Sequence, residues 1–243
     1  MKRKLLISLS ITICVCLAII GILLYNGIIW FNNPSSRVYP VRGVDVSSYQ
    51  GIIDWNVLSK QHIDFAFIKA TEGSSSHDQQ FRYNWENANK TQLKVGAYHF
   101  FSFDSSGSAQ ANNFIGIVPR QAESLPPVVD IELYGDKMEK LPDREKTDEI
   151  LNELLDKLEE HYGKKPILYA TIKSYDLYIK GSYGDYRIWL RDVIKSPVLS
   201  DKREWTFWQY SNRQVLKGYK GQEKFIDMNV YRGTKAQFES FAK

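Results

Sequence analysis

Pro126-Pro127-Val128-Val129-Asp130-Ile131-Glu132 opens in apolar, β-branched residues and closes on two acids. A front half of that composition suits a strand buried on both faces, and an acid pair at the end of such a strand needs a reason. Side chains alternate along a strand, so Asp130 and Glu132 point the same way, with Cα atoms about 6.6 Å apart at roughly 3.3 Å per residue. Two carboxyls on one concave surface can be driven to different pKa values, one giving a proton while the other stays ionised, which is the equipment of glycoside cleavage. Taken alone, the pattern also fits a solvated edge, a helix cap or an ion pair. The rest of the chain decides between them.

Outward from this stretch the same theme recurs. Apolar runs lie at Val41 to Val46, Phe65 to Ala70, Val95 to Phe101 and Ile167 to Ala170, at intervals long enough for a crossover helix. Alternating strand and helix is the pattern of a parallel sheet. The clearest helix is expected from about Arg144 to Tyr162, where Ile150, Leu151, Leu154, Leu155 and Leu158 keep the helical period and Gly163 stands at the stop. Later runs, Arg187 to Leu190, Thr206 to Tyr210 and Lys224 to Met228, come too close together for full helices. The expected fold is α/β: a distorted TIM-like (β/α) barrel whose helices are reduced in the last three units.

Barrels of this kind do their chemistry where strands end. That rule gathers Asp45, Asp130, Glu132 and Asp227 at one mouth, with Tyr98, Tyr169, Trp189 and Gln209 around them. Aromatic faces suit sugar rings, although each of these four residues also suits core packing. Lys69 and Glu72 end the second strand and read equally as substrate contacts or as a local ion pair and loop start. His62, His77, His99 and His161 lack ligand spacing, so neither a metal nor a cofactor is expected.

At the N-terminus, a basic Met1-Lys2-Arg3-Lys4 precedes the uncharged stretch Leu5 to Leu24, which as a helix spans roughly 30 Å. The charge order keeps the tail cytoplasmic and exports the rest. An uncleaved anchor is expected, with a cleaved signal peptide, and hence a secreted enzyme, as the alternative. The resulting division is 1–4 cytoplasmic tail, 5–29 transmembrane signal anchor, 30–40 linker with Trp30 and Phe31 as interfacial aromatics, and 41–243 barrel. Both cysteines, Cys14 and Cys16, fall inside the apolar stretch, so the barrel forms no internal disulfide. The net charge of +4 is spread without a basic run beyond the N-terminus, which excludes a nucleic-acid footprint.

The segments Gly43-Val44-Asp45-Val46-Ser47-Ser48-Tyr49-Gln50-Gly51, Phe67-Ile68-Lys69-Ala70-Thr71-Glu72-Gly73, Gly96-Ala97-Tyr98-His99-Phe100, Asp130-Ile131-Glu132, Trp208-Gln209-Tyr210-Ser211 and Asp227-Met228-Asn229 resemble, in order, the motifs of glycoside hydrolase family 25 lysozymes. The resemblance implies cleavage of the β-1,4 bond between N-acetylmuramic acid and N-acetylglucosamine in peptidoglycan. It makes Glu132 the general acid, Asp130 its carboxylate partner, and Asp45 and Asp227 the flanking acids. Many family members carry wall-binding repeats, where this chain has an N-terminal apolar segment. Peptidoglycan glycan strands and the membrane are thus the expected partners, with a secretion or conjugation apparatus of the envelope as a further one. Two other readings stay open: a non-catalytic peptidoglycan-binding scaffold, and a hydrolase of another N-acetylated glycan such as chitin.

Overall fold

The computed structural model describes residues 2–30 and 32–242; Phe31, expected at the membrane interface, lies outside them. Eight apolar runs pair into one closed sheet: β1 (Arg42–Val46), β2 (Phe65–Glu72), β3 (Lys94–Phe100), β4 (Val128–Ile131), β5 (Ile167–Thr171), β6 (Arg187–Arg191), β7 (Phe207–Gln214) and β8 (Ile226–Tyr231). β1 to β7 pair successively in parallel. β8 closes the ring antiparallel to both β7 and β1. Asp227 was expected near the C-terminal end of the last strand, and it sits near the beginning instead. The connection 215–225 holds no helix, and a strand reached without a crossover returns antiparallel. Its start therefore lies at the rim where its neighbours end.

Before that point the helices are α1 (Lys2–Tyr25), α2 (Trp55–Leu58), α3 (Phe81–Ala88), α4 (Gly107–Ile115) and α5 (Arg144–Tyr162); α6 (Ile172–Ser174) is one turn running into a π-helical turn, and α7 (Lys235–Phe241) follows β8. α5 has the limits its periodicity predicts. Asp143 caps it by accepting from the Lys146 amide at 2.9 Å, and Gly163 ends it at φ 66°, a left-handed conformation that glycine adopts without strain. Leu151, Leu154, Leu155 and Leu158 are fully buried against the barrel wall. Among the described residues no helix separates β6 from β7 or β7 from β8, so the reduction of the last units is real.

Inward positions change character along the barrel axis. At the bottom they are Phe65, Phe67, Val128, Ile167 and Phe207, packed as one apolar cluster with Phe238 of α7, whose ring centroid is 5.5 Å from that of Phe65. Gly43 and Gly96 face the same interior. A Cβ at Gly43 would lie 2.4 Å from the Phe65 ring, and one at Gly96 2.6 Å from the Phe67 ring, so these two glycines make room for the aromatic plug. One period of two further up, the inward residues become Asp45, Lys69, Tyr98, Asp130, Tyr169, Arg191, Gln209 and Asp227. Thus the bottom is a core and the top is a cleft.

α1 stands outside the barrel. Its segment Leu5–Tyr25 has mean hydropathy 2.8 and no buried share, and its 21 residues are long and apolar enough to cross a membrane. The stretch 30–40, read as a linker, does not hang free: Asn32 is buried and donates to the carbonyls of Tyr210 (2.8 Å) and Asp192 (3.2 Å).

Candidate active site

The cleft at the barrel mouth has a volume of ≈ 490 Å³, within the range of small-ligand sites. All four acids singled out in the sequence line it, as do Tyr98, Tyr169, Trp189 and Gln209. Strand register explains the convergence. Asp45 and Asp227 are directly opposite partners on β1 and β8, and Asp130, Tyr169 and Trp189 are in register across β4, β5 and β6. Glu132 follows one residue after β4 and is half-buried, whereas Asp130 is buried.

Asp45 is held by a rigid network. Gln209 Nε2 donates to Asp45 Oδ1 at 3.1 Å and Oδ2 at 2.9 Å, and to Asp227 Oδ2 at 3.1 Å. Asn229 Nδ2 donates to Asp45 Oδ2 at 2.7 Å. Behind these amides, Tyr169 OH donates to Gln209 Oε1 at 3.0 Å and Trp189 Nε1 to Asn229 Oδ1 at 2.8 Å. The polar tips of Tyr169 and Trp189 are therefore spent inside the protein, and their rings belong to the inner core, Trp189 stacked on Phe67 at 4.7 Å and only their edges reaching the cleft. Gln209, read from sequence as a substrate contact, has its amide turned onto Asp45 and Asp227.

Asn229 was not singled out, although it lies on the same face as Asp227 in Asp227-Met228-Asn229, and that two-residue spacing was the available signal. A β-bulge around Met228 lets Asp227 and Asn229 meet β7 in shifted register, the device by which sheets re-aim side chains at sites. Two cations enter the same cleft. Lys69 Nζ pairs with Glu72 Oε2 at 2.7 Å and lies 4.9 Å from the centre of the Phe100 ring, and Arg191 ends β6. Tyr49, which belongs to the first motif, also lines the rim, as do Asn212, Glu223 and Phe225, which carried no distinguishing pattern in the sequence.

Electrostatics separate the acids. Burial pushes Asp130 well above the usual carboxylate range, Glu132 and Asp45 push it further, and Lys69 and Arg191 pull it back. Its Oδ1 is buried with no hydrogen-bond donor. Glu132 is raised chiefly by burial, with Arg191 lowering it and Asp45 raising it. Asp227 is raised well above its ordinary value by burial and then by Asp45. Asp45 is raised by burial too, against the donors Asn229 and Gln209. Such perturbed acids in one concavity mark a site of proton-transfer chemistry. Among the described residues no group of three or more His, Cys, Asp or Glu is arranged to hold a metal ion.

The family model for glycosyl hydrolases family 25 matches residues 44–219, from the strand that bears Asp45 past Gln209. The chain belongs to glycosyl hydrolase family 25. A solved family 25 glycosyl hydrolase from Bacillus anthracis is 54% identical, with a TM-score of 0.83 over 87% of this chain and 97% of its own. The bacterial lysozyme from Streptomyces coelicolor is 30% identical, with a TM-score of 0.74 over 83% of this chain and 96% of its own. Lysozyme M1 of Streptomyces globisporus is 31% identical over 219 residues, 83% of this chain and 71% of its own. The chain is accordingly a glycoside hydrolase of the peptidoglycan-hydrolysing lysozyme and muramidase family. Asp227 and Asn229 fall after the matched stretch of this family 25 hydrolase, and the antiparallel closure of β8 carries Asp227 into the cleft and Asn229 behind Asp45.

Proposed function

We infer that this hydrolase is a muramidase cutting the β-1,4 bond between N-acetylmuramic acid and N-acetylglucosamine, with Glu132 and Asp130 as the catalytic pair. The observation that carries this is the pair of raised carboxyls, buried Asp130 and half-buried Glu132, lining one cleft. A 2-acetamido sugar brings an amide N–H that can donate to the Asp130 carboxylate. In the reaction Glu132 gives its proton to the glycosidic oxygen as the C1–O bond breaks, and the acetamido carbonyl oxygen bonds to C1 from the other face. Asp130 accepts the amide N–H and stabilises the cationic ring that forms. Water then attacks C1 as its bond to the acetamido oxygen breaks and the amide is restored, losing its proton to the Glu132 carboxylate, and the configuration is retained.

Charge placement supports this division of labour. The N–H bond to Asp130 offsets the burial that raises it, so Asp130 ionises in the complex while Glu132 keeps the proton. Asp45, fixed by Gln209 and Asn229, and Asp227 set the negative field that favours the cationic transition state. Half-buried Tyr98 gives the sugar an apolar face, and Tyr169 and Trp189 form the floor beneath it. The division 1–4 tail, 5–29 anchor, 30–40 connecting segment and 41–243 barrel puts the cleft on the outer side of a membrane. An enzyme so held works on peptidoglycan of the cell that makes it, in the envelope that a secretion or conjugation apparatus also crosses. Wall digested by the full-length chain in detergent should show new reducing ends of muramic acid. New glucosamine ends would overturn the bond assignment.

A further inference from the structure

α1 does not fray into a tether. The Ile28 amide donates to the Leu23 carbonyl at 3.0 Å and the Gly27 amide to Leu24 at 3.1 Å, with Gly27 left-handed at φ 69°. That paired closure is a Schellman ending, which fixes the direction in which the chain leaves a helix. Gly27 then lies directly on the barrel. A Cβ there would stand 2.4 Å from the Arg213 carbonyl and 2.7 Å from the Phe225 ring. The Arg213 guanidinium sits 4.4 Å from the centre of the Phe225 ring, 5.8 Å from that of Trp30 and 6.0 Å from that of Tyr25, and donates to the Tyr25 carbonyl. Lys224 Nζ donates to Asn26 Oδ1 at 3.0 Å, and further on Asn32 is bonded to the β7 backbone and Arg42 donates to the Pro34 carbonyl. Tyr25, Asn26, Gly27, Asn32 and Pro34 are thus each held to the barrel.

The clamp grips the catalytic rim itself. Phe225 lines the cleft, and Asn212, next to Arg213, lines it too. One residue separates Tyr25 from Gly27, at most roughly 7 Å of chain, so the cleft wall at Phe225 lies within about 10 Å of the helix end. Beside that end, Ile28 and Ile29 are exposed apolar residues at 68% and 41%, with Lys224 and Arg213 adjacent. Apolar side chains rimmed by cations suit the interface of an anionic bilayer.

We propose that residues 26–34 are a strap that seats Ile28 and Ile29 in the lipid interface and locks the cleft at the outer membrane surface, so that its substrate is glycan still carried by a lipid in the same membrane rather than the more distant wall. This rests on the membrane placement and the muramidase reading above. The test uses the full-length chain with Cys14 and Cys16 replaced by Ser, in phosphatidylglycerol-containing vesicles. One fluorophore goes on Gln222→Cys at the rim, and in a second sample on Glu239→Cys in α7 at the barrel bottom. A headgroup-attached quencher should quench the rim label severalfold more than the bottom label, and Gly27→Val should bring the rim label down to the bottom level. Equal quenching at both sites, or no response to Gly27→Val, overturns the strap. This readout needs no turnover, so it stands apart from the hydrolysis reading. In the activity arm, the vesicle-bound enzyme should cleave lipid-linked glycan in its own vesicles at least tenfold faster than suspended wall, with the preference lost in Gly27→Val. Equal rates on both would overturn the substrate assignment.

Discussion

Asp130 is where folding and function conflict most directly. Its carboxyl is buried, one oxygen has no donor, and Glu132 and Asp45 add negative charge. A carboxyl raised in the folded state contributes stability that is present below its unfolded pKa and is lost as pH rises through the folded value. Asp130→Asn removes that loss, so the variant should melt above the parent at pH 7, with the difference vanishing at about pH 3.5, below the ordinary Asp value. Activity should fall at the same time, which distinguishes a strained functional group from a structural one. The substrate-induced ionisation of Asp130 has its own kinetic mark. The acid limb of kcat, which reports the complex, should lie at lower pH than the acid limb of kcat/KM, which reports the free enzyme. Coincident limbs would contradict it. Arg191 lowers both Asp130 and Glu132, so Arg191→Met should move both limbs of the pH profile to higher pH. A shift of one limb alone would assign Arg191 to a single carboxyl.

At the scale of elements, β8 does the most for the site and was the least legible. The sequence showed Asp227 in an apolar run, and strand-end logic placed it at the mouth, but direction was invisible because it depends on how the preceding connection closes. The bulge at Met228 was equally hidden, since nothing in Ile226-Asp227-Met228-Asn229 distinguishes a bulged strand from a straight one. By contrast α5 was readable, because the leucine period and the stop at Gly163 are local signals. The inner plug of Phe65 and Phe67 was readable only as apolar strand; that Gly43 and Gly96 vacate space for it needs the closed ring. Gly96→Val should therefore cost several kcal/mol, on the order of 2–4 from overpacking and the strained core, seen as a loss of melting temperature with the cleft chemistry untouched. Asn229→Ala should lower kcat, because it releases Asp45 from one of its two amide donors, and should also cost about 1–3 kcal/mol of stability, because the buried Trp189 Nε1 loses its acceptor.

For the whole molecule, the barrel sorts its interior by height, aromatic plug below and titratable cleft above, and α7 seals the end that does no chemistry. This is why four acids separated by up to most of the chain could be gathered from sequence: strand ends in a parallel barrel share one rim. The strap at residues 26–34 could not be gathered that way, because its partners Arg213 and Phe225 are distant in sequence and its own residues read as the end of an anchor running into a linker. The central claim is that the acid pair of β4 breaks the glycosidic bond, and the rate of wall hydrolysis by full-length Glu132→Gln tests it most directly. The account predicts a loss of about 10² to 10⁴ in kcat with the fold intact, the usual share of a general acid. Hydrolysis at the parental rate in that variant would contradict it.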